Sequence, residues 1–221
     1  MSYVFPPAPV ASVPVVGSDS LFPVHRIYCV GRNYAEHAKE MGFSGREAPF
    51  FFMKPDDAVL VVKDGQTGEM PYPTLTKDLH HEIELVVALG KGGKNIKAAD
   101  AVNHIFGYAV GIDMTRRDLQ AEAKKQGRPW DIAKGFDFSA PITPIVPAAQ
   151  AGDINNAAIW LDVNGAKRQS SQVTQLIWSI AETIEALSQA WELQAGDLIF
   201  SGTPEGVAAV SQGDVLEGGV A

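Results

Sequence analysis

The stretch DLHHEIELVVAL (Asp78–Leu89) decides how the chain is read. From Leu85 onward it is apolar and largely β-branched, the composition of a strand, yet two histidines and two glutamates stand just before that run. Alternate side chains of an extended backbone share a face. Glu82 and Glu84 therefore point one way with Val86 beyond them, while Ile83, Leu85 and Val87 point the other. If the shared face is wet, the two carboxylates are an ordinary acidic stripe on an antiparallel strand. If it is buried, they are costly unless protonated, paired or bound to a cation.

Composition narrows the field. The chain has 221 residues, 46% hydrophobic and 20% charged, enough to bury one substantial core in one domain. A net charge of -8 and a pI near 5.1 argue against nucleic acid or an anionic membrane as the main partner. No apolar run reaches the ~20 residues of a membrane span, and the N-terminus does not read as a signal peptide, so the expected compartment is the cytoplasm. Cys29 is the only cysteine, and within RIYCVG (26–31) it reads as a packed strand thiol rather than a nucleophile.

Residues 1–23 hold five of the fourteen prolines, so an extended arm is expected there, with regular structure from Val24 and a single domain over 24–221. HRIYCVG (25–31), PFFFMKP (49–55), AVLVVKDG (58–65), HHEIELVVALG (80–90) and FGYAVGIDM (106–114) read as strands. A short helix is expected over 33–42, capped by Asn33 and stopped by Gly42, and another over 95–105. Thr115 and Asp118 resemble a capping box for a helix over 116–126 that Gly127 and Pro129 end. Apolar residues from Val173 to Trp191 recur at spacings of three and four, predicting one long amphipathic helix that packs on a sheet. The fold class is a β-rich α+β domain.

Asp113, ending its strand immediately before a helix, is the best third hard ligand to join Glu82 and Glu84. A carboxylate set favours Mg²⁺, Mn²⁺ or Ca²⁺ over zinc. His37 and Glu40 lie three apart in the first short helix, where the carboxylate would raise the imidazole's basicity, as a water-activating base requires; an exposed surface pair has the same spacing. Lys134, among aromatic and apolar neighbours, is either a surface lysine or a partly desolvated cation able to hold an oxyanion. Arg117 and Gln120 fall in the first turns of the helix after Asp113, and Thr203 sits in a glycine-flanked turn whose N–H groups could cradle a carboxylate. Trp130, Trp178 and Trp191 read as core.

Six segments, YCVGRNYAEHAKEM (28–41), FFFMKP (50–55), HHEIELVVALG (80–90), GYAVGIDMTRRDLQ (107–120), GRPWDIAKGFD (127–137) and LQAGDLIFSGTPEGV (193–207), occur in the order seen in the fumarylacetoacetate hydrolase family. The chain resembles that family over residues 25–217, and within it the short bacterial acylpyruvate hydrolases. The resemblance implies a mixed β-roll with flanking helices, a homodimer, and a divalent ion, Mg²⁺ or Mn²⁺, on Glu82, Glu84 and Asp113. It matches His37 and Glu40 to the water-activating pair, Lys134 to the active-site lysine, and Arg117, Gln120 and Thr203 to substrate contacts. Arg32, Tyr34 and Arg116 are candidates to contact a second substrate carboxylate.

The implied substrate is a small anionic 2,4-dioxo acid, above all fumarylpyruvate of the gentisate route of aromatic degradation. Decarboxylation of oxaloacetate, or isomerisation and decarboxylation of a hydroxymuconate-type diacid, is the alternative chemistry, and a non-catalytic cation- or carboxylate-binding module the alternative class. The chain stops at GDVLEGGVA (213–221), earlier than the resemblance implies, so either a missing edge strand or an incomplete C-terminus is expected.

Overall fold

The computed structural model describes residues 2–40, 46–63 and 65–221, and the side chains of all of these except 38–40. Gly42, the expected helix stop, and the side chain of Glu40 lie outside the described residues.

The architecture is a curled, mixed β-sheet with few helices, the fold the sequence predicts. Its main path runs Phe50–Lys54, Ile27–Gly31, Leu198–Phe200, Ile83–Leu89, Ile105–Ile112, Ala140–Ile142 and Val59–Val61, with Val146–Pro147 also on Ile105–Ile112. Two pairs are parallel, Leu198–Phe200 with Ile27–Gly31 and Ala140–Ile142 with Val59–Val61; the other pairs on this path are antiparallel. Separate three-stranded sheets join Ala166–Gln172, Ala158–Val163 and Leu216–Val220, and Ala209–Val210, Leu79–His80 and Thr115–Arg116.

Both faces of the main sheet are buried, with strict alternation. Ile27, Cys29, Val86, Ala88 and Phe200 share one cluster; Tyr28, Val30, Leu85, Val87 and Leu89 share the other, against Ile180, Ile184 and Leu187 of the Ile180–Ala190 helix. Burial also pushes the Cys29 thiol pKa far up, so it packs as an inert strand residue.

Several local expectations are corrected. The predicted helix over 173–191 is helical only at Ile180–Ala190, because Ser179 accepts from Glu182 N while the Glu182 carboxylate accepts from Ser179 N, a capping box that starts the helix there. Val173–Gln175 and Ala98–His104 are 3-10 turns. The first short helix spans Ala35–Glu40, and the Asn33 side chain before it accepts from Trp178 N and donates to Trp178 O and Ser201 O. Thr115 caps nothing, since its hydroxyl turns to Glu82 Oε1 and Asp113 O. Gly127, at φ 63, ends the Arg117–Gln126 helix as expected. Regular structure begins before Val24: Ser12–Pro14 pairs with Leu21–Pro23, and Val13 and Phe22 enter the core.

Candidate metal centre and substrate cleft

The site forms where the central antiparallel pair ends. Ile83 is in register with Ile112, and Asp113 N donates to Glu82 O at 2.8 Å, so the next residues on both strands, Glu82 and Asp113, face each other. Glu84, one pleat further in, shares the face of Val86. The wet-stripe reading is thereby excluded: Glu82, Glu84 and Asp113 are all buried, each offering a carboxylate oxygen, and these oxygens lie within 4.8 Å of one another.

Two buried lysines enter the same group. Lys134 Nζ lies 2.6 Å from Asp113 Oδ2, 2.9 Å from Glu82 Oε2 and 2.6 Å from Thr115 Oγ1. Burial opposes its charge, but Asp113 and Glu82 more than offset that and hold its pKa above the usual lysine value. Lys54, at the end of its strand, lies 2.9 Å from Asp113 Oδ1 and donates to Met114 O and Lys134 O. Glu82 also accepts from Arg117 Nη2 at 2.5 Å. Desolvation raises its pKa, but Lys134 and Arg117 together hold it well below the ordinary carboxylate range.

Glu84 differs. Among the described residues it has no cationic partner, and its recorded donor is Gly202 N at 2.7 Å. Burial, then the neighbouring Asp113 and Glu82 charges, pushes its pKa far up. A buried carboxylate in that state is stabilised by a cation, and an all-oxygen set of three carboxylates suits a hard divalent ion. The donor set fits the implied metal. The glycine-flanked turn does cradle a carboxylate, but the protein's own: Gly202 sits at φ +103, and a Cβ there would stand 2.7 Å from Asn33 Cβ.

A cleft opens over this group. His37, Glu82, Glu84 and Lys134 line it, as do Arg32, Arg117, Gln120 and Thr203. His37 is buried at the cleft wall. Asp113 lies behind the lining, fully buried. Tyr34 does not reach the cleft; it packs in the cluster of Leu79, Ile83 and Phe136, where burial, then Glu84, raises its phenol pKa. Arg116 also points elsewhere, donating to Ile132 O with its guanidinium over Phe136. Trp130, expected in the core, forms a cleft wall with Phe50 and Phe52; Trp178 is half-buried, donating to Glu47 O, and Trp191 packs on Tyr28.

Three contributors were invisible in sequence: Lys54, Lys124 and Gln169. Gln169, fully buried on the Ala166–Gln172 strand, has its amide orientation fixed by backbone partners, since Oε1 accepts from Ile83 N and Nε2 donates to Pro204 O. Oε1 then accepts from His81 Nδ1–H, and Nε2 donates to Thr203 Oγ1. His81 is thereby fixed as the Nδ1–H tautomer, its pKa lowered mainly by burial. The Thr203 hydroxyl, already accepting from Gln169, keeps its own proton for the cleft.

Comparison with known proteins agrees with this geometry. The family model described as "Fumarylacetoacetate (FAA) hydrolase C-terminal" matches residues 26–221. The fumarylpyruvate hydrolase of Pseudomonas aeruginosa, solved in complex with Mn²⁺ and pyruvate, superposes with a TM-score of 0.97 at 55% identity, covering 99% of this chain and 94% of that one. A mitochondrial oxaloacetate decarboxylase of Dictyostelium discoideum is 39% identical over 195 residues, 88% of each chain. A mitochondrial oxaloacetate tautomerase of Bos taurus is 40% identical over 194 residues, 88% of this chain and 86% of that one. The chain is a member of the fumarylacetoacetate hydrolase family.

Proposed function

We propose that the chain is a divalent-metal-dependent hydrolase of acylpyruvates, with fumarylpyruvate as the substrate that yields fumarate and pyruvate. The observation that carries the reading is the site itself: three buried carboxylates, one without a cationic partner among the described residues, beside a cleft lined by Lys134, Arg117 and His37. The Mn²⁺ and pyruvate of the 55%-identical Pseudomonas aeruginosa hydrolase support it. The same reading includes a homodimer.

Glu82, Glu84 and Asp113 would hold Mg²⁺ or Mn²⁺, which supplies Lewis-acid charge for a keto acid's oxygens. Arg117 and the Thr203 hydroxyl orient the anionic substrate by donating to its oxygens. His37, with Glu40 as its supporting carboxylate, takes a proton from water, and the hydroxide oxygen bonds to the 4-carbonyl carbon. The C3–C4 bond then breaks, its electron pair passing to C3 as the pyruvate enolate, and the acyl fragment leaves as a carboxylic acid. Lys134 stabilises that enolate more than the neutral ketone, because its ammonium is held charged and buried before reaction begins. Protonation at C3 completes pyruvate.

Oxaloacetate decarboxylation or tautomerisation is the second reading, favoured by the relatives near 40% identity. It needs the same enolate stabilisation but no attacking water. Assaying acetyl-, maleyl- and fumarylpyruvate beside oxaloacetate with Mg²⁺ separates them. Hydrolysis predicts that His37→Ala loses acylpyruvate turnover by about 10²- to 10⁴-fold. Turnover of oxaloacetate alone, insensitive to His37→Ala, would favour the second reading.

A further inference from the structure

Arg117, Gln120 and Lys124 recur at spacings of three and four on the Arg117–Gln126 helix, and all three line the cleft. Arg117 pairs with Glu82 and donates to Gln120, and Lys134 pairs with Glu82 and Asp113. Lys124 has no carboxylate partner among the described residues; its ammonium stands 5.1 Å from the centre of the Trp130 ring. Desolvation, then the Arg117 charge, draws its pKa down to about 8. Lys124 is exposed, so its ammonium is open to an anion that enters the cleft. Along the helix axis, seven residues separate Lys124 from Arg117 by about 10 Å.

We propose that Lys124 determines specificity by binding the far carboxylate of a dianionic substrate whose keto-acid end lies at the Glu82, Glu84 and Lys134 end of the cleft. The inference rests on the acylpyruvate reading. An extended seven-carbon diacid places its end carboxyl carbons about 7.5 Å apart, which with one N–H···O contact matches the rise from Arg117 to Lys124. A four-carbon diacid, at about 4 Å, does not. Between the ends, Trp130, Phe50 and Phe52 offer an apolar wall to the carbon chain, with the Phe50 and Trp130 rings edge to face at 5.4 Å.

The test compares binding of 2-oxoheptanedioate and 2-oxoheptanoate, which lack a 4-carbonyl and cannot be cleaved, to the Mg²⁺-loaded protein by calorimetry. The wild type should bind the diacid about five- to tenfold more tightly, a modest charge-assisted contact at a partly exposed group. In K124M and K124Q that preference should vanish. No preference in the wild type, or one that survives both substitutions, overturns the assignment. Acylpyruvate turnover is followed in parallel. Hydrolysis without a diacid preference removes Lys124's role and leaves the hydrolase reading standing. A preference that Lys124 controls, without hydrolysis of any acylpyruvate, removes the hydrolase reading and supports the anion subsite.

Discussion

The ammonium of Lys134 stands between two carboxylates, 2.6 Å from Asp113 Oδ2 and 2.9 Å from Glu82 Oε2, with all three side chains buried. Neither acid is in water, so the cation holds part of the site together before any ligand arrives. Lys134→Met should destabilise the metal-free protein by about 3 kcal/mol, measured by denaturant unfolding, besides abolishing turnover. An unfolding midpoint equal to that of the wild type would show that the pair contributes no net stability.

Glu84 predicts the opposite in the metal-free state. Its carboxylate is raised toward the neutral form by burial and by Asp113 and Glu82, and Gly202 N can donate equally to an amide oxygen. Glu84→Gln should leave the metal-free melting temperature unchanged or raise it by about 2–4 °C. Mg²⁺ should then no longer raise it further, because a carboxylate ligand is gone. A variant still stabilised by Mg²⁺ as strongly as the wild type would remove Glu84 from the ligand set.

Gln169 joins the strand carrying the acids to the loop carrying Thr203 through four hydrogen bonds. Gln169→Leu strands buried donors on His81 and Ile83, and should cost about 2–4 kcal/mol in thermal or chemical unfolding. It also frees the Thr203 hydroxyl from its fixed role, so KM should rise more than kcat falls. Equal changes in both would assign Gln169 to folding alone.

Lys124 gives a pH signature. Arg117, Lys134 and Arg32 disfavour its charge and Glu82 favours it, with desolvation the largest cause of its lowered pKa. Below about 8 the free-protein lysine is a cation and attracts a carboxylate; as pH rises through that value the attraction is lost. The ratio of monoacid to diacid dissociation constants should therefore fall between pH 7 and 9.5 in the wild type and stay flat in K124M. A wild-type ratio flat across that range contradicts the pairing.

The period-two pattern of Ile83–Leu89 was legible because alternation specifies face and register together, and it placed Glu84 beside Val86 correctly. The convergence of Glu82, Glu84 and Asp113 was also legible, from carboxylates at the ends of two strands. What stayed hidden is long-range. Lys54 looked like the polar end of an aromatic strand, and Gln169 like one more polar residue of an exposed strand, until the fold brought each to the acids. Two matching capping signals had different fates. Ser179 with Glu182 caps a helix and shortens the predicted one, whereas the Thr115 hydroxyl turns to Glu82 because a buried carboxylate is the more demanding partner. Apolar spacing alone ran the helix through Trp178, whose backbone is instead bonded to Asn33.

Whether this cleft joins a bound divalent ion to water-driven C–C cleavage is tested most directly by following the enol absorbance of fumarylpyruvate with purified protein. With Mg²⁺ the absorbance should decay as fumarate and pyruvate appear in equal amounts, stop when the ion is chelated, and resume on its return. Decay undiminished by chelation, or an absorbance that never changes while oxaloacetate is consumed, would contradict the account.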